Sequence, residues 1–184
     1  MRSLDIVVVS SNLDVIEALQ KQIKAVNDRL FPAFLRNRDA KLISSIPGIG
    51  YYGAMLIASE IDDVHRFADA QHLCSYAGLV PSVHQSGEKI RMGGVSGPGN
   101  KRLRWALVES AQAAVRFDPR LGGMYERVSK RRGKGCAVVA VAHEMARIMY
   151  YMLSRGEPYR GENRGLTERK LKSMGKKAFD GLRN

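Results

Sequence analysis

Apolar residues recur at helical spacing along most of the chain, and this pattern predicts an all-α fold. The first helix signal begins at Ser11, because Asp14 three residues later has the spacing of a capping box. A seam of apolar residues follows at Ile16, Leu19, Ile23, Val26 and Leu30. Pro32 is expected to end this helix. The seam fits a helix lying on its own domain, and it fits equally a coiled coil used for dimerisation or as a spacer.

A second unit begins at Asp39 and consists of a helix, a tight turn and another helix. Residues 41–45 predict a short helix, residues 46–50 interrupt it, and apolar spacing resumes over residues 51–61. An apolar–Pro–Gly–apolar–Gly turn between two helices is typical of a helix-hairpin-helix. Its glycines permit tight backbone geometry, and the next helix presents free N–H groups and its positive dipole end to a phosphate. The predicted nucleic-acid contacts are Pro47, Gly48, Ile49 and Gly50. The alternative is a plain helical turn packed in the core.

The remaining pattern divides into short helices, one glycine-rich segment and two long helices. Residues 68–77 predict a short helix, whereas residues 80–100 contain two prolines and five glycines and predict a long loop or small β-hairpin. Helices are predicted at residues 101–117 and 121–132. Residues 136–155 are apolar nearly all round, which is typical of a buried central helix.

This organisation predicts three parts. Residues 1–38 form an N-terminal helix or coiled-coil arm, and residues 39–159 form the helix-hairpin-helix domain. Residues 160–184 carry eight basic residues against three acidic ones and form a tail that is either disordered or a short basic arm.

The excess of basic residues indicates a polyanionic partner. Thirty Lys and Arg against eighteen Asp and Glu leave a formal net charge of +12, and a field of this size attracts polyanions such as nucleic acid. Three basic clusters are predicted to bind phosphates: Lys89 and Arg91; Lys101, Arg102 and Arg104; and Arg127, Lys130, Arg131, Arg132 and Lys134. Trp105, on the polar face of its helix, either stacks on an unpaired base or caps a packing interface.

Other classes of partner receive no support from the sequence. The longest apolar run, residues 137–142, is too short to cross a bilayer, and no signal peptide is recognisable. The sequence therefore predicts a cytoplasmic, nucleoid-associated protein with no membrane partner. Cys74 and Cys136 lack the paired spacing of zinc ligands, so no metal site is predicted and both thiols are expected to be reduced.

Candidate catalytic chemistry is confined to the glycine-rich segment. The acidic residues are scattered, so no pair predicts an Mg²⁺ site of the kind that nucleases use. His84 and Ser86 place an imidazole two residues from a hydroxyl, and Lys89 and Arg91 follow closely. A serine here could attack a phosphodiester if its proton were removed and the phosphate charge were neutralised. The competing interpretation is an ordinary loop serine.

An ordered series of motifs resembles the C-terminal domain of the insertion-sequence 110/116/902 transposases. The motifs are residues 42–50 (LISSIPGIG), Phe67 with Leu73, residues 76–81 (YAGLVP), Ser86 with Gly87, residues 99–104 (GNKRLR), residues 150–153 (YYML) and residues 156–159 (GEPY). The resemblance covers roughly residues 39–159. The first helix is similar to the inter-domain coiled coil of that family.

The resemblance implies a recombinase with a composite active site. In this family an N-terminal RuvC-like domain holds Mg²⁺ with a DEDD acidic set, and the C-terminal domain supplies a serine that becomes covalently joined to DNA. A structured guide RNA encoded in the element is a further partner. By motif position the serine is Ser86, with Ser82 and Ser96 as alternatives. Lys89 and Arg91 would position phosphate, and His84 is a weaker candidate for proton transfer.

The chain departs from that family at its start, which lies at or just before the coiled coil. We therefore expect the RuvC-like domain and its Mg²⁺ site to be missing, as in a truncated reading frame, a remnant or a cut fragment. The expected behaviour is binding to DNA or structured RNA, association into a dimer or higher homo-oligomer through the first helix, and no recombination by this chain alone. Two rivals remain: a non-enzymatic helix-hairpin-helix module that binds DNA junctions or structured RNA, and a dimerisation remnant.

Overall fold

The computed structural model describes residues 3–86, 89–95, 99–161 and 164–180, and most of these residues are helical. The helices are α1 (Ser3–Arg36), α2 (Arg38–Ser44), α3 (Tyr51–Ile61), α4 (Ala70–Tyr76), α5 (Lys101–Phe117), α6 (Pro119–Arg132), α7 (Lys134–Arg155) and α8 (Arg164–Asp180). Two strands, β1 (Pro81–Ser86) and β2 (Lys89–Val95), form an antiparallel pair. The predicted all-α fold is confirmed, with one small hairpin between α4 and α5.

Helix α1 is longer at both ends than the sequence predicted. It runs unbroken from Ser3 to Arg36, so Ser11 does not begin it and Pro32 does not end it. The β-branched run at residues 6–9 has low helix propensity and predicts no helix, although these residues are helical in the structure. Pro32 is tolerated because the flanking Phe31 and Phe34 are buried and their rings lie 5.5 and 6.3 Å from that of Tyr51. Packing of this end against α3 outweighs the hydrogen bond that a proline removes.

The first two thirds of α1 lie outside the core. Ten large apolar residues there are about half exposed or more: Ile6, Val7, Val8, Val9, Leu13, Val15, Ile16, Leu19, Ile23 and Val26. The seam predicted from the sequence is therefore on the surface of this chain. An exposed apolar seam of this length is typical of a helix that packs against another chain.

Helix α7 is the central helix of the body, as its all-round apolar pattern predicted. It packs against α2, α4, α5 and α6, and Val141, Met145 and Met149 are fully buried. By length and composition α7 could also cross a membrane, although its longest uninterrupted apolar run, residues 137–142, is too short to do so. Its burial among the other helices accounts for that composition, since the core helix of a folded domain is equally apolar.

Part of the basic tail forms helix α8 (Arg164–Asp180) in the structure. Gly175 lies against the ring of Phe31, and Leu171 and Met174 pack on the core. The Lys170 ammonium donates to Ser44 O at 2.6 Å and to Ile46 O at 3.3 Å. The tail helix is thus tied to the end of α2, a contact that joins residues far apart in the sequence.

Candidate nucleic-acid interface

The helix-hairpin-helix turn buries its isoleucines in the core and exposes its glycines to solvent. Ile46 and Ile49 are buried, Pro47 is half-buried, and Gly48 and Gly50 are exposed. The turn begins where Ile46 N donates to Ile43 O at 3.1 Å. Because the Ile49 side chain belongs to the core, this member of the predicted set can reach a ligand only through its backbone.

The two glycines of the turn serve different purposes. Gly48 has φ +89°, and a Cβ there would lie 2.8 Å from Ala114 N and 2.9 Å from Ala113 C on α5. Gly50 has an ordinary extended backbone (φ −80°), and a Cβ there would meet nothing within 4 Å. Packing against α5 therefore requires Gly48. No steric reason requires Gly50, which is the N-cap of α3 and provides no side-chain cap.

Gly50 opens onto a cavity of about 560 Å³ between α1, α3 and α8. Lys24 of α1 and Lys170 of α8 line it, and so does Asp28. Within the described residues the buried Asp28 Oδ1 accepts no hydrogen bond. Burial and, to a lesser degree, the Asp28 charge raise the pKa of Tyr51 above its ordinary value. The charge around the turn is mixed, a feature that the turn motif alone did not reveal.

Helix α3 connects this turn to the base of the β-hairpin. It runs antiparallel to α5, since Gly48 meets Ala114 at one end and Glu60 meets Asn100 at the other. The Asn100 side-chain amide donates to Glu60 Oε2 at 2.7 Å and to the Tyr76 hydroxyl at 3.1 Å. With 11 residues and a rise of 1.5 Å per residue, α3 separates the two features by about 16 Å.

The two ends of the hairpin segment are fastened together at one point. A Cβ on Gly99, which has φ +128°, would lie 2.8 Å from Gly78 Cα. Asn100 N donates to Tyr76 O at 2.7 Å, and Arg104 Nε donates to Ala77 O at 3.1 Å. The half-buried Arg104, predicted as a phosphate ligand, thus has a structural hydrogen bond at the hairpin base.

An arginine and the start of α5 complete the base. The Arg66 guanidinium lies 4.5 Å from the ring centroids of both Phe67 and Tyr76, and Arg66 Nε donates to Ile61 O at 2.9 Å. Hydrogen bonds from Arg66 and then Asn100 lower the pKa of Tyr76. Asn100 Oδ1 also accepts the N–H groups of Arg102 and Leu103 at 3.0 Å, which makes it the N-cap of α5. Of these residues, the sequence signals only Asn100, by its place before a predicted helix.

Strand register relates the residues predicted for catalysis. Ser86 pairs with Lys89, and His84 pairs with Arg91. Residues directly opposite each other share a face of a hairpin, and so do alternate residues along a strand. Positions 84, 86, 89 and 91 therefore lie on one face. Ser82 lies where the register shifts, and Ser96 and Gly87 lie outside the described residues.

The other predicted cations lie on helix ends. Lys101 and Arg102 are exposed in the first turn of α5, beside the hairpin base, and Arg102 Nη1 is 3.9 Å from Glu60 Oε1. Trp105, one turn further, is 53% exposed, so it is available for stacking and is not part of the core of this chain. Arg127 and Lys134 are exposed on either side of the end of α6, where the last turn carries three exposed cations: Lys130, Arg131 and Arg132.

The two cysteines have opposite surroundings, and the described residues offer no metal-holding group. Cys74 is buried, its thiol donates to His143 O at 3.6 Å, and burial raises its pKa to about 11. Cys136 is exposed. Over the described ranges, no three His, Cys, Asp or Glu residues lie together in a way that could hold a metal ion.

Comparison with known proteins gives a consistent result. The model of the transposase IS116/IS110/IS902 family matches residues 40–126. The transposase for insertion sequence element IS1111A of Coxiella burnetii is 35% identical over 128 residues, which is 67% of this chain and 35% of that protein. The insertion element IS110 uncharacterized 43.6 kDa protein of Streptomyces coelicolor is 31% identical over 161 residues, covering 85% of this chain and 39% of that protein.

A relative whose name states a different role also matches. The pilin gene-inverting protein of Moraxella bovis is 32% identical over 127 residues, covering 67% of this chain and 39% of that protein. The chain thus spans between a third and two fifths of the length of these three relatives. The matching model covers α2 to the first half of α6, and so includes the turn, the hairpin and the start of α5.

Proposed function

Through the domain at residues 40–126 the chain belongs to the transposase IS116/IS110/IS902 family, and we propose that it is the DNA-binding part of an insertion-sequence transposase. In this proposal Ser86 supplies the nucleophile for DNA strand cleavage and exchange. The observation that carries it is the strand register, by which positions 84, 86, 89 and 91 share one face of the hairpin. The name of the pilin gene-inverting relative, which states that it inverts a gene, agrees with a recombinase.

The proposed chemistry is a transesterification. Ser86 Oγ forms a bond to phosphorus, the bond from phosphorus to one sugar oxygen breaks, and the released sugar takes up a proton. The serine proton passes to a base, for which His84 is the candidate within the hairpin. Lys89 and Arg91 neutralise the charge that develops on the phosphoryl oxygens. Reversal of the same step on another sugar hydroxyl joins the exchanged strand.

DNA binding is proposed to use the helix-hairpin-helix turn and the start of α5 together. The free N–H groups behind Gly50 and the exposed cations Lys101 and Arg102 lie at opposite ends of α3. At 3.4 Å per nucleotide along a strand, their separation of about 16 Å corresponds to four or five phosphates. Backbone contacts of this kind position DNA without reading its sequence. Lys130, Arg131 and Arg132 extend the basic surface.

Association into a dimer is proposed through α1. With its true start at Ser3, the seam extends back to Val9 and covers about three heptads. In this register Val9, Ile16 and Ile23 fall at position a, and Asn12, Leu19 and Val26 at position d. β-branched residues at a are typical of two parallel strands. A parallel pair would place two Ser86 hairpins on one assembly. Strand exchange between two DNA segments needs two nucleophiles.

Two further elements of the proposal concern groups outside these 184 residues. Mg²⁺, held by the carboxylates of a RuvC-like domain, would stabilise charge on the phosphate, and a guide RNA would be an additional partner. The site of action is the bacterial nucleoid in the cytoplasm. For this chain alone we expect DNA binding without recombination.

The nucleophile is tested with DNA that carries a nitrophenyl-activated phosphate, because a good leaving group removes the need for Mg²⁺. We expect the chain to form a covalent adduct that survives denaturing electrophoresis, and mass spectrometry to map it to Ser86. The adduct is lost in Ser86→Ala and kept in the matched control Ser82→Ala. An adduct that persists in Ser86→Ala, or one mapped to Ser82 or Ser96, contradicts the assignment.

The non-enzymatic alternative, a helix-hairpin-helix module that binds DNA junctions or structured RNA by shape, predicts another result. It requires tight junction binding that is unchanged in Ser86→Ala, together with no adduct on activated DNA. Fluorescence anisotropy with a four-way junction, a duplex of the same sequence and a folded RNA measures the first part. The absence of binding to all three probes at low salt would leave only the dimerisation remnant.

A further inference from the structure

A second basic cavity, separate from the hairpin and the turn, lies against the C-terminal half of α7. Its volume is about 230 Å³, and the start of α6 and residues 157–160 form its other walls. Four exposed arginines line it: Arg120, Arg147, Arg155 and Arg160. Glu144 and Glu157 are the acidic residues of the lining, which leaves a net charge of two positive. We call this cavity the α7 pocket.

Glu144 is already engaged by two of these arginines. Arg120 Nη2 donates to Glu144 Oε1 at 2.9 Å, and Arg147 Nη1 donates to Glu144 Oε2 at 2.7 Å. The Glu144 side chain is only 16% exposed, so the carboxylate holds both guanidinium groups at the wall of the pocket. Arg155 and Arg160 form no ion pair with any residue that the structure describes. Their charge is available to a ligand.

An exposed aromatic ring lies next to that charge. Tyr151 is 44% exposed, and the Arg155 guanidinium carbon lies 5.3 Å from its ring centroid. The Tyr150 ring packs edge-on against Tyr151 at 5.5 Å, and the Tyr150 hydroxyl lies 3.3 Å from Ala68 O. Tyr151 is therefore supported from one side by a fixed neighbour. An exposed aromatic ring beside unpaired cations is the arrangement that binds single nucleic-acid strands.

The wall opposite α7 is held rigidly. Tyr159 is buried, its N–H donates to Ser45 Oγ at 2.8 Å, and its hydroxyl donates to Asp118 Oδ2 at 2.7 Å. Gly156 ends α7 in the left-handed conformation, with the Arg38 guanidinium directly against it. The pocket thus exists before a ligand arrives, so binding requires little ordering of the chain.

We propose that the α7 pocket binds an unpaired nucleic-acid strand, with a phosphate on Arg155 and Arg160 and the neighbouring base stacked on Tyr151. Guanidinium groups match the geometry of phosphate oxygens, and stacking on tyrosine tolerates any base. DNA and RNA share this chemistry. The proposal rests on the proposed function only in taking nucleic acid as the partner, and it adds a contact distinct from the Ser86 hairpin.

The test measures the affinity of the full chain for a fluorescein-labelled 12-nucleotide single strand, as DNA and as RNA, by anisotropy at several salt concentrations. We expect Arg155→Gln with Arg160→Gln to weaken binding about tenfold and to reduce the slope of affinity against salt by between one and two. Lys21→Gln with Arg29→Gln removes the same charge from α1 and is the matched control, with a change below about threefold. Tyr151→Ala is expected to weaken binding at least fivefold, whereas Tyr151→Phe keeps the ring and the affinity.

Three outcomes overturn the proposal. The first is that the arginine variant and Tyr151→Ala bind the single strand with the same affinity as the Lys21/Arg29 control. The second is that Tyr151→Ala loses as much affinity for a blunt duplex, which offers no unpaired base, as it loses for the single strand. The third is preferential displacement of the strand by poly-glutamate, which would identify the pocket as a site for an acidic protein. Arg102→Gln is assayed in parallel, so that failure of the hairpin-side interface and failure of the α7 pocket give different patterns.

Discussion

Asn100 donates its side-chain amide to Glu60 at 2.7 Å, and the bond joins the last turn of α3 to the first residue before α5. The oxygen of the same side chain caps the first turn of α5. Asn100 therefore stabilises the start of α5 and also holds α3 beside the base of the hairpin. The first half of the family domain is thereby connected to the segment that carries Ser86.

Replacement of Asn100 should separate these roles. Asn100→Ala loses both the cap and the bond to Glu60, and we expect the free energy of unfolding to fall by about 2 kcal/mol. Asn100→Ser keeps a capping oxygen and should lose only about 1 kcal/mol. Urea denaturation followed by circular dichroism measures both. Equal losses in the two variants would show that the capping oxygen contributes nothing, and an Asn100→Ser protein as stable as the wild type would show the same of the bond to Glu60.

The two turn glycines should respond in opposite ways. Gly48→Ala combines a left-handed backbone with contact against Ala113 and Ala114, so we expect about 2 to 3 kcal/mol of destabilisation. Gly50→Ser meets no atom and offers a capping hydroxyl to α3, so stability should be kept or slightly raised. If the α3 amides bind phosphate, Gly50→Ser should nevertheless weaken duplex binding severalfold. Unchanged binding by a stable Gly50→Ser protein removes the turn from the interface.

The seam of α1 should govern oligomeric state. Ile16→Asp with Leu19→Asp puts charge on two exposed apolar positions, so the monomer should stay folded while the dimer dissociates. Light scattering after size-exclusion chromatography measures the mass. Val7→Asp, at an exposed position away from the seam, is the control and should remain dimeric. A wild-type chain that is monomeric at tens of micromolar would contradict the proposal before any variant is made.

Stability should fall in mild acid because of His143. Burial first, and then the Arg147 charge, lower the pKa of His143 below its ordinary 6.5. Below about pH 6.5 the unfolded chain takes up a proton that the folded chain does not, so the free energy of unfolding decreases as the pH falls towards the native pKa. Urea midpoints at pH 7.5 and 5.5 measure this loss. His143→Gln should reduce the difference between the two midpoints, and an unaltered difference would assign it to other groups.

The thiols offer a check on the fold itself. The exposed Cys136 should react with a disulfide reagent within seconds to minutes, whereas Cys74 is buried with its pKa raised to about 11 and should stay unreactive until the chain unfolds. A colorimetric thiol titration before and after denaturant gives one thiol and then two. Cys136→Ser should abolish the early reaction. An early reaction that survives in that variant would mean that Cys74 is accessible.

Sequence periodicity predicted the elements whose pattern is local. The helices at residues 51–61 and 101–117 were placed at their observed bounds, and the buried set Leu103, Leu107, Ala111 and Ala114 lies in the core. Helix α1 extends beyond its predicted bounds at both ends. Helix continuity outweighs the low propensity of residues 6–9, and packing on Tyr51 outweighs the effect of Pro32.

The candidate site depends on contacts that local pattern does not encode. The grouping of Ser86 with Lys89 and Arg91 followed from sequence proximity, but the face they share depends on strand register. The contacts of Glu60 and Lys170 join distant segments, and each of these residues looks like an ordinary surface charge in the sequence. The four arginines of the α7 pocket are likewise scattered over forty residues and converge only after folding.

The meeting of Gly78 with Gly99 has a consequence for how such proteins diversify. The hairpin segment leaves the helices at Gly78 and rejoins them at Gly99, where the two backbones are in contact. The entropy cost of closing this loop changes little with the number of residues in it. Insertions, deletions or exchange of the reactive tip can accumulate there while the helices keep their packing. Chemistry and scaffold can therefore evolve at different rates within one short polypeptide.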